Sequence, residues 1–124
     1  MAGLVVTNTT KNRTPRLPFL RLKDAILGKK YELSVVIVGD ALSRKRNTRH
    51  KHTPANILSF PYSQSEGEIL LNPRQAKREY KKFKMTYQMF LVYLVIHGML
   101  HLKGLRHGST MSQAEARLLR RFSN

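Results

Sequence analysis

The chain is 124 residues long, contains no cysteine, and sets 23 lysines and arginines against seven acidic residues for a formal charge of +16. That length allows one domain, residues 1–124, with one core, and the missing cysteines exclude disulfides and thiolate metal ligands. So large a cationic excess repels itself and favours a polyanionic partner, nucleic acid first and an anionic membrane second.

The first ten residues carry only a short apolar patch at 4–6, too little for the core of a signal peptide. Residues 3–6 read as a short strand. Thr14 and Pro15 then supply an N-cap and a first-turn proline, with Phe19, Leu22 and Ile26 at helical spacing and Gly28 as the stop. Residues 33–38 form a β-branched run that reads as a buried strand. Asp40 is placed to cap a short helix that dissolves into the basic run 44–52. This run has no apolar periodicity. It reads equally as a solvated loop and as a phosphate-contacting surface.

Residues 57–61 and 68–71 predict two further strands joined by a polar loop, with Pro61 marking an edge. Asn72-Pro73 opens another helix. Its spacing turns Ala76, Tyr80 and Phe83 inward and leaves Arg74, Lys77, Arg78, Lys81 and Lys82 outside, where Lys77 and Lys81 are candidate RNA contacts. Thr86 caps a central helix with Met85 and Phe90 as a hydrophobic staple. The apolar stretch 85–102 is interrupted by Gln88, His97 and His101, so it reads as a buried core helix rather than a membrane span. Ser112-x-x-Glu115 reads as a capping box for a last helix that turns Ala114, Leu118 and Phe122 inward and Arg117, Arg120 and Arg121 outward. The expected fold is α+β: one small mixed sheet of about four strands, about five helices, and a central buried helix bearing the chemistry.

That chemistry is concentrated in His97, His101 and His107. Histidines four apart on a helix project from one face. Gly104 can take the left-handed conformation that ends a helix and lets the chain return, bringing His107 back towards the pair. Three imidazoles converging from one side leave a fourth position open, the pattern of a catalytic metal site. The same spacing fits the metzincin protease string H-E-x-x-H-x-x-G-x-x-H. There the residue after the first histidine is the glutamate that acts as general base, and here it is Gly98.

Two stretches together resemble one family. The segment from His97 through Gly104, with His107, resembles the H-G-x-L-H-L-x-G-x-D-H motif of the YbeY family, bacterial rRNA maturation factors. Upstream, Pro54-Ala55-Asn56-Ile57-Leu58-Ser59-Phe60-Pro61 resembles that family's P-T-N/D-V-L-S-F-P segment, and Gly67-Glu68-Ile69 its G-D-I strand. The resemblance implies a cytoplasmic, zinc-dependent, single-strand-specific endoribonuclease. Its substrate would be small-subunit (16S) rRNA in 3′-end maturation and ribosome quality control. The implied partners are ribosomal RNA, the small ribosomal subunit and ribosome-assembly proteins, with no membrane. Carried over by residue, His97, His101 and His107 hold one zinc ion per chain. The family's functional arginine falls on Arg49, with Arg46 close by as a second RNA contact.

The departures are specific. Arg106 stands where the family has an aspartate before the third histidine, and His52 where an acidic residue follows the arginine. An aspartate there would brace a ligand imidazole. A second reading therefore stands beside the nuclease: a ribosome-binding assembly factor whose zinc is structural. The metalloprotease, lacking its glutamate, comes third.

Overall fold

The computed structural model describes residues 3–50 and 52–122; Lys51 of the basic run and residues 1–2 lie outside them. Four strands form one mixed sheet. β1 (Leu4–Asn8), β2 (Glu32–Ile37) and β4 (Glu66–Leu71) run parallel, and β3 (Ile57–Ser63) pairs antiparallel with β4, in the order β1-β2-β4-β3. Strand side chains alternate between faces. Leu33, Val35 and Ile37 are all buried, and opposite the last two in register lie Ile69 and Leu71, also buried. Ser34 and Val36, pointing the other way, are half-buried.

The buried face is covered by α4 (Tyr87–Leu102), which packs on β3 and β4 and touches α1 (Phe19–Ile26), α3 (Pro73–Glu79) and α5 (Ser109–Phe122). Thr86 caps it as its sequence predicts, the hydroxyl accepting from the Met89 amide at 3.1 Å. From Phe90 to Leu102 nearly every residue is buried, so this helix is the centre of the core. Below it, Lys23 of α1 is buried too. Its ammonium donates to the carbonyls of Gly28, Lys29 and Tyr31 at 2.9–3.2 Å and pairs with Asp24. The turn into β2 is thereby closed by a side chain that no periodicity argument singles out.

Several expected boundaries move. α1 starts at Phe19 rather than at Thr14 and Pro15, because a second proline, Pro18, biases Leu17 away from helix. Thr14 instead accepts a hydrogen bond from Asn8 at the end of β1. The β3–β4 turn is tighter than the predicted 62–67 loop, with a register shift between Pro61 and Ser63 on what is an edge strand. Phe83, expected inward, is 47% exposed. α3 gives way to a 3-10 turn over Tyr80–Phe83 and a left-handed Lys84 (φ 55°), and three residues per turn rotates Phe83 out of the α-helical stripe. α5 begins at Ser109, so Ser112 caps nothing and Glu115 is released for another role.

Asp40 also departs from its expected role. It is the first residue of α2 (Asp40–Arg46) rather than its cap, and its carboxylate ties α2 to the β4–α3 junction. Arg78 donates to both its oxygens, at 3.1 and 2.7 Å, and Asn72 Nδ2 to one, at 3.0 Å. These bonds, Arg78 first, hold its pKa down to about 2. A depressed carboxylate contributes stability above its unfolded value and loses it as pH falls through the folded one. Asp40→Asn is therefore expected to melt a few degrees below wild type at pH 6. The gap should close between about pH 4 and pH 2, as followed by circular dichroism; a gap constant across that range would mean the ionised carboxylate contributes nothing.

Candidate metal centre

The last two turns of α4 carry His97 and His101 on one side. The helix then closes at Lys103, and Gly104 (φ 105°) reverses the chain, with the Gly104 and Leu105 amides donating to the carbonyls of His101 and Leu100. This returns His107 over the helix end. One nitrogen from each ring falls within a group whose members all lie within 4.8 Å of one another. Ring centroids are separated by 4.6 Å (His97–His101), 5.2 Å (His97–His107) and 4.8 Å (His101–His107).

Two details fit these rings to a cation. Glu115, buried on α5, contacts His97 Nδ1 through its carboxylate, which keeps the proton on Nδ1 and the lone pair on Nε2. His97 Nε2 and His101 Nε2 face each other at 3.1 Å. That approach is met either by His101 Nε2–H donating to the His97 lone pair or, with both lone pairs free, by a cation between them, since imidazoles bound to one ion at about 2.0–2.1 Å can adopt it. Burial pushes His101 below its ordinary value of 6.5, and His97 and His107 push the same way, so its ligating form persists to lower pH. The fold thus supplies a convergent three-nitrogen set. A carboxylate braces it from α5 rather than from position 106, where the family motif has aspartate. Sequence reading missed this use of Glu115 by assigning it to a helix cap; its place on an amphipathic helix, on the buried side with Ala114, was the available signal.

The cluster opens into a cavity of about 990 Å³. Its walls include Arg46, Arg49, Ser59, Phe60, Phe83, Tyr93 and Arg106. Arg46 and Arg49, both inferred from sequence, therefore do share the site with the histidines, but they differ. Arg46 is engaged, donating to Glu68 at 3.2 Å with its guanidinium 4.5 Å from the Phe60 ring centre. Arg49 is exposed and makes no hydrogen bond or ion pair among the described residues. The loop that carries it is nonetheless built: Asn47, buried, donates to Thr53 O at 3.1 Å and accepts from the His50 amide, while buried Ser43 bonds both the amide and the carbonyl of Ala55 at 2.8 Å. The run that lacked apolar periodicity is thus held by small polar side chains. Lys77 and Lys81 do not join the site. Lys77 lies over the Tyr87 ring at 4.9 Å and lines a different cavity, and Lys81 lines neither.

Gly98 explains why the protease string fails here. Ser59 Oγ donates to its carbonyl at 2.9 Å, and a Cβ at this position would stand 3.1 Å from Ser59 Oγ and 3.2 Å from Ile57 Cγ1. The position points into the sheet, away from the rings, and has no room for glutamate.

A small α+β domain that gathers three imidazoles at the end of its buried helix is a framework that could hold a metal ion by histidines alone. The family model described as Endoribonuclease YbeY matches residues 8–123. An Endoribonuclease YbeY from Thermodesulfovibrio yellowstonii is 35% identical over 99 residues, 73% of this chain and 61% of that one. Another from Geobacter metallireducens is 33% identical over 117 residues, 84% of this chain and 77% of that one. The solution structure of a Thermotoga maritima protein shares the fold, with a TM-score of 0.62 at 20% identity over 94% of this chain and 87% of that one. The chain belongs to the Endoribonuclease YbeY family, and it spans about three-fifths of the first of these relatives.

If Glu115 sets the tautomer of His97, Glu115→Ala should weaken metal affinity on the order of ten- to a hundredfold in a chelator competition. In wild type, protons compete with the metal for the imidazole nitrogens, and the lowered His101 resists that competition, so affinity should fall as pH drops through the histidine range, with His101 the ring that holds its ligating form to lower pH. Equal affinity in Glu115→Ala and wild type would show that the carboxylate does not tune the site.

Proposed function

We propose that the chain is a zinc-dependent endoribonuclease that cuts single-stranded RNA in the cavity at the end of α4. The observation that carries this reading is the shared cavity: three convergent imidazoles and, lining the same space, an arginine, Arg49, that has no partner among the described residues. Zinc suits a set of three imidazole nitrogens, and when bound it would supply a Lewis acid at a phosphoryl oxygen.

The chain's own residues do the rest. Arg49, exposed on a clamped loop, can donate two parallel hydrogen bonds to the non-bridging oxygens of a phosphodiester and strengthen them as negative charge builds. Arg46 is held between Glu68 and Phe60, so it adds field and shapes the wall more than it moves. Arg106 lines the same cavity and adds a cation where the family motif has an anion, which favours a polyanion at the mouth. Phe83 and Tyr93 present aromatic surface beside His97, with centroids 6.2 Å apart and Tyr93 5.9 Å from the imidazole, a surface on which an unpaired base can stack. Stacking of this kind requires a base free of its partner, hence single strands. Glu115 is committed to His97, and no other carboxylate lines the cavity among the described residues, so the chain's contribution is positioning and charge stabilisation.

The substrate we propose is the 3′ region of small-subunit (16S) rRNA, cut in the cytoplasm in contact with the small ribosomal subunit and its assembly proteins. Support comes from family membership and from a charge of +16. Among the described residues no single helix is long and apolar enough to cross a membrane.

The test combines metal analysis with RNA cleavage. Arg49→Ala is expected to keep its zinc and its melting temperature while kcat drops on the order of a hundredfold, the scale of removing one donor from a developing oxyanion. Arg49→Lys should restore only part, since an ammonium cannot grip two oxygens in a fork. Full cleavage by Arg49→Ala with none by His101→Ala would remove the arginine from the mechanism and leave the metal. Zinc retained with no cleavage of any RNA by wild type would favour the assembly-factor reading.

A further inference from the structure

A second cavity, about 940 Å³, opens at the other end of α4. It lies at the carboxyl ends of the parallel strands β1, β2 and β4, where the loop after β1, the start of α2, α3 and the first turns of α4 meet. Among the described residues, five cations line it, Lys11, Arg13, Arg74, Lys77 and Arg78, and no aspartate or glutamate does. Arg78 is neutralised by Asp40. The others have no carboxylate partner among the described residues. Lys77 sits over the ring of Tyr87, which with Ile37, Val38 and Leu91 gives the cavity an apolar floor.

The loop that brings Lys11 and Arg13 here is ordered by its own side chains. Asn8 accepts from the Thr10 amide and hydroxyl at 2.8 and 2.7 Å, and its amide group donates to Asn12 O at 2.7 Å and Thr14 Oγ1 at 3.0 Å. Two cations are thus presented from a built turn. An apolar, partly aromatic floor rimmed by cations left without carboxylates matches a nucleotide of single-stranded nucleic acid, base inward and phosphates on the rim.

We infer that this cavity is a second RNA-binding site, separate from the cutting site, which holds the same strand some nucleotides away from the scissile bond. α4 sets the distance: Tyr87 and His101 are about 21 Å apart at ~1.5 Å per residue. Between the two cavities runs α3 with its 3-10 extension, Lys77 opening on one, Phe83 on the other, and Lys81 and Lys82 exposed between them. The strand follows that basic edge. The inference rests on the RNA reading of the metal cavity, which cleavage tests; the second site is tested by how binding depends on length.

The experiment measures, by fluorescence anisotropy, the affinity of the full chain for unstructured 2′-O-methyl RNAs of about 4 and about 16 nucleotides, the range of lengths a single-strand groove covers. Wild type should bind the longer RNA at least tenfold more tightly. Lys11→Glu/Arg13→Glu/Arg74→Glu should erase most of that advantage and leave the 4-mer nearly unchanged. It should also flatten the salt dependence, by roughly 0.7 in log-log slope for every phosphate that is no longer neutralised. Arg117→Glu/Arg120→Glu/Arg121→Glu, the same charge change on the outer face of α5, should keep the advantage. The inference is overturned if the first triple variant keeps the length advantage, if it weakens both lengths equally, or if the α5 variant behaves the same way. Cleavage of RNA by wild type with any of those results would leave the nuclease standing and remove the second site alone.

Discussion

Glycine at position 98 lets the backbone of α4 settle against β3 closely enough for Ser59 to donate to its carbonyl at 2.9 Å, and the rest of the site is placed by that seating. A helix buried on nearly every side has little freedom to rotate, because turning it would expose Leu94, Ile96 or Leu100 and open voids in a close-packed core. His97 and His101 therefore leave the core at one fixed azimuth. The same close approach that seats the helix also rules out a carboxylate next to the first ligand, so rigidity and the missing protease base have one cause.

Three separate elements then complete what the helix begins. The reversal at Gly104 supplies His107, α5 supplies the carboxylate on His97, and the clamped loop after α2 supplies Arg49. The reversal and the loop are held by local polar bonding, and α5 by the apolar face that buries Met111, Ala114 and Phe122. This division is physically sensible: the core fixes the two helix histidines, and surface segments fix His107 and Arg49, which line the open cavity. The replacement of an aspartate by Arg106 is tolerable in this arrangement because the brace comes from α5.

The cationic excess is distributed rather than pooled. One set of cations surrounds the metal cavity, another rims the cavity at the far end of α4, and the basic edge of α3 lies between. Neutralisation inside the protein is selective. Arg46 and Arg78, one in the wall of each cavity, are paired with Glu68 and Asp40, which use up two of the few acidic residues, while Arg49, Arg106, Lys11, Arg13, Arg74 and Lys77 have no ion pair among the described residues. With only seven acidic residues, those pairings mark where the fold itself needs a charge satisfied.

The class of fold, the buried central helix, its Thr86 cap and the clustering of the three histidines were legible in the sequence, because each depends on near neighbours: helical spacing, a hydroxyl before an apolar run, a glycine after it. Most of the strands were legible for the same reason. What stayed hidden depends on partners far apart in the chain. Glu115 looked like a cap until α5 was seen to start at Ser109 and to carry that carboxylate onto His97, eighteen residues away. Phe83 followed an α-helical stripe in the sequence and left it when the helix tightened into a 3-10 turn. Asp40 looked like a helix cap and proved to pair with Arg78, 38 residues on. Arg46 and Arg49 could be narrowed to one short run, but which is paired and which is free followed from Glu68 and Phe60 arriving on neighbouring strands. Local spacing determines which residues can act; only the packing of distant segments decides which of them are already occupied, since a charge's availability is set by the neighbours that folding brings to it.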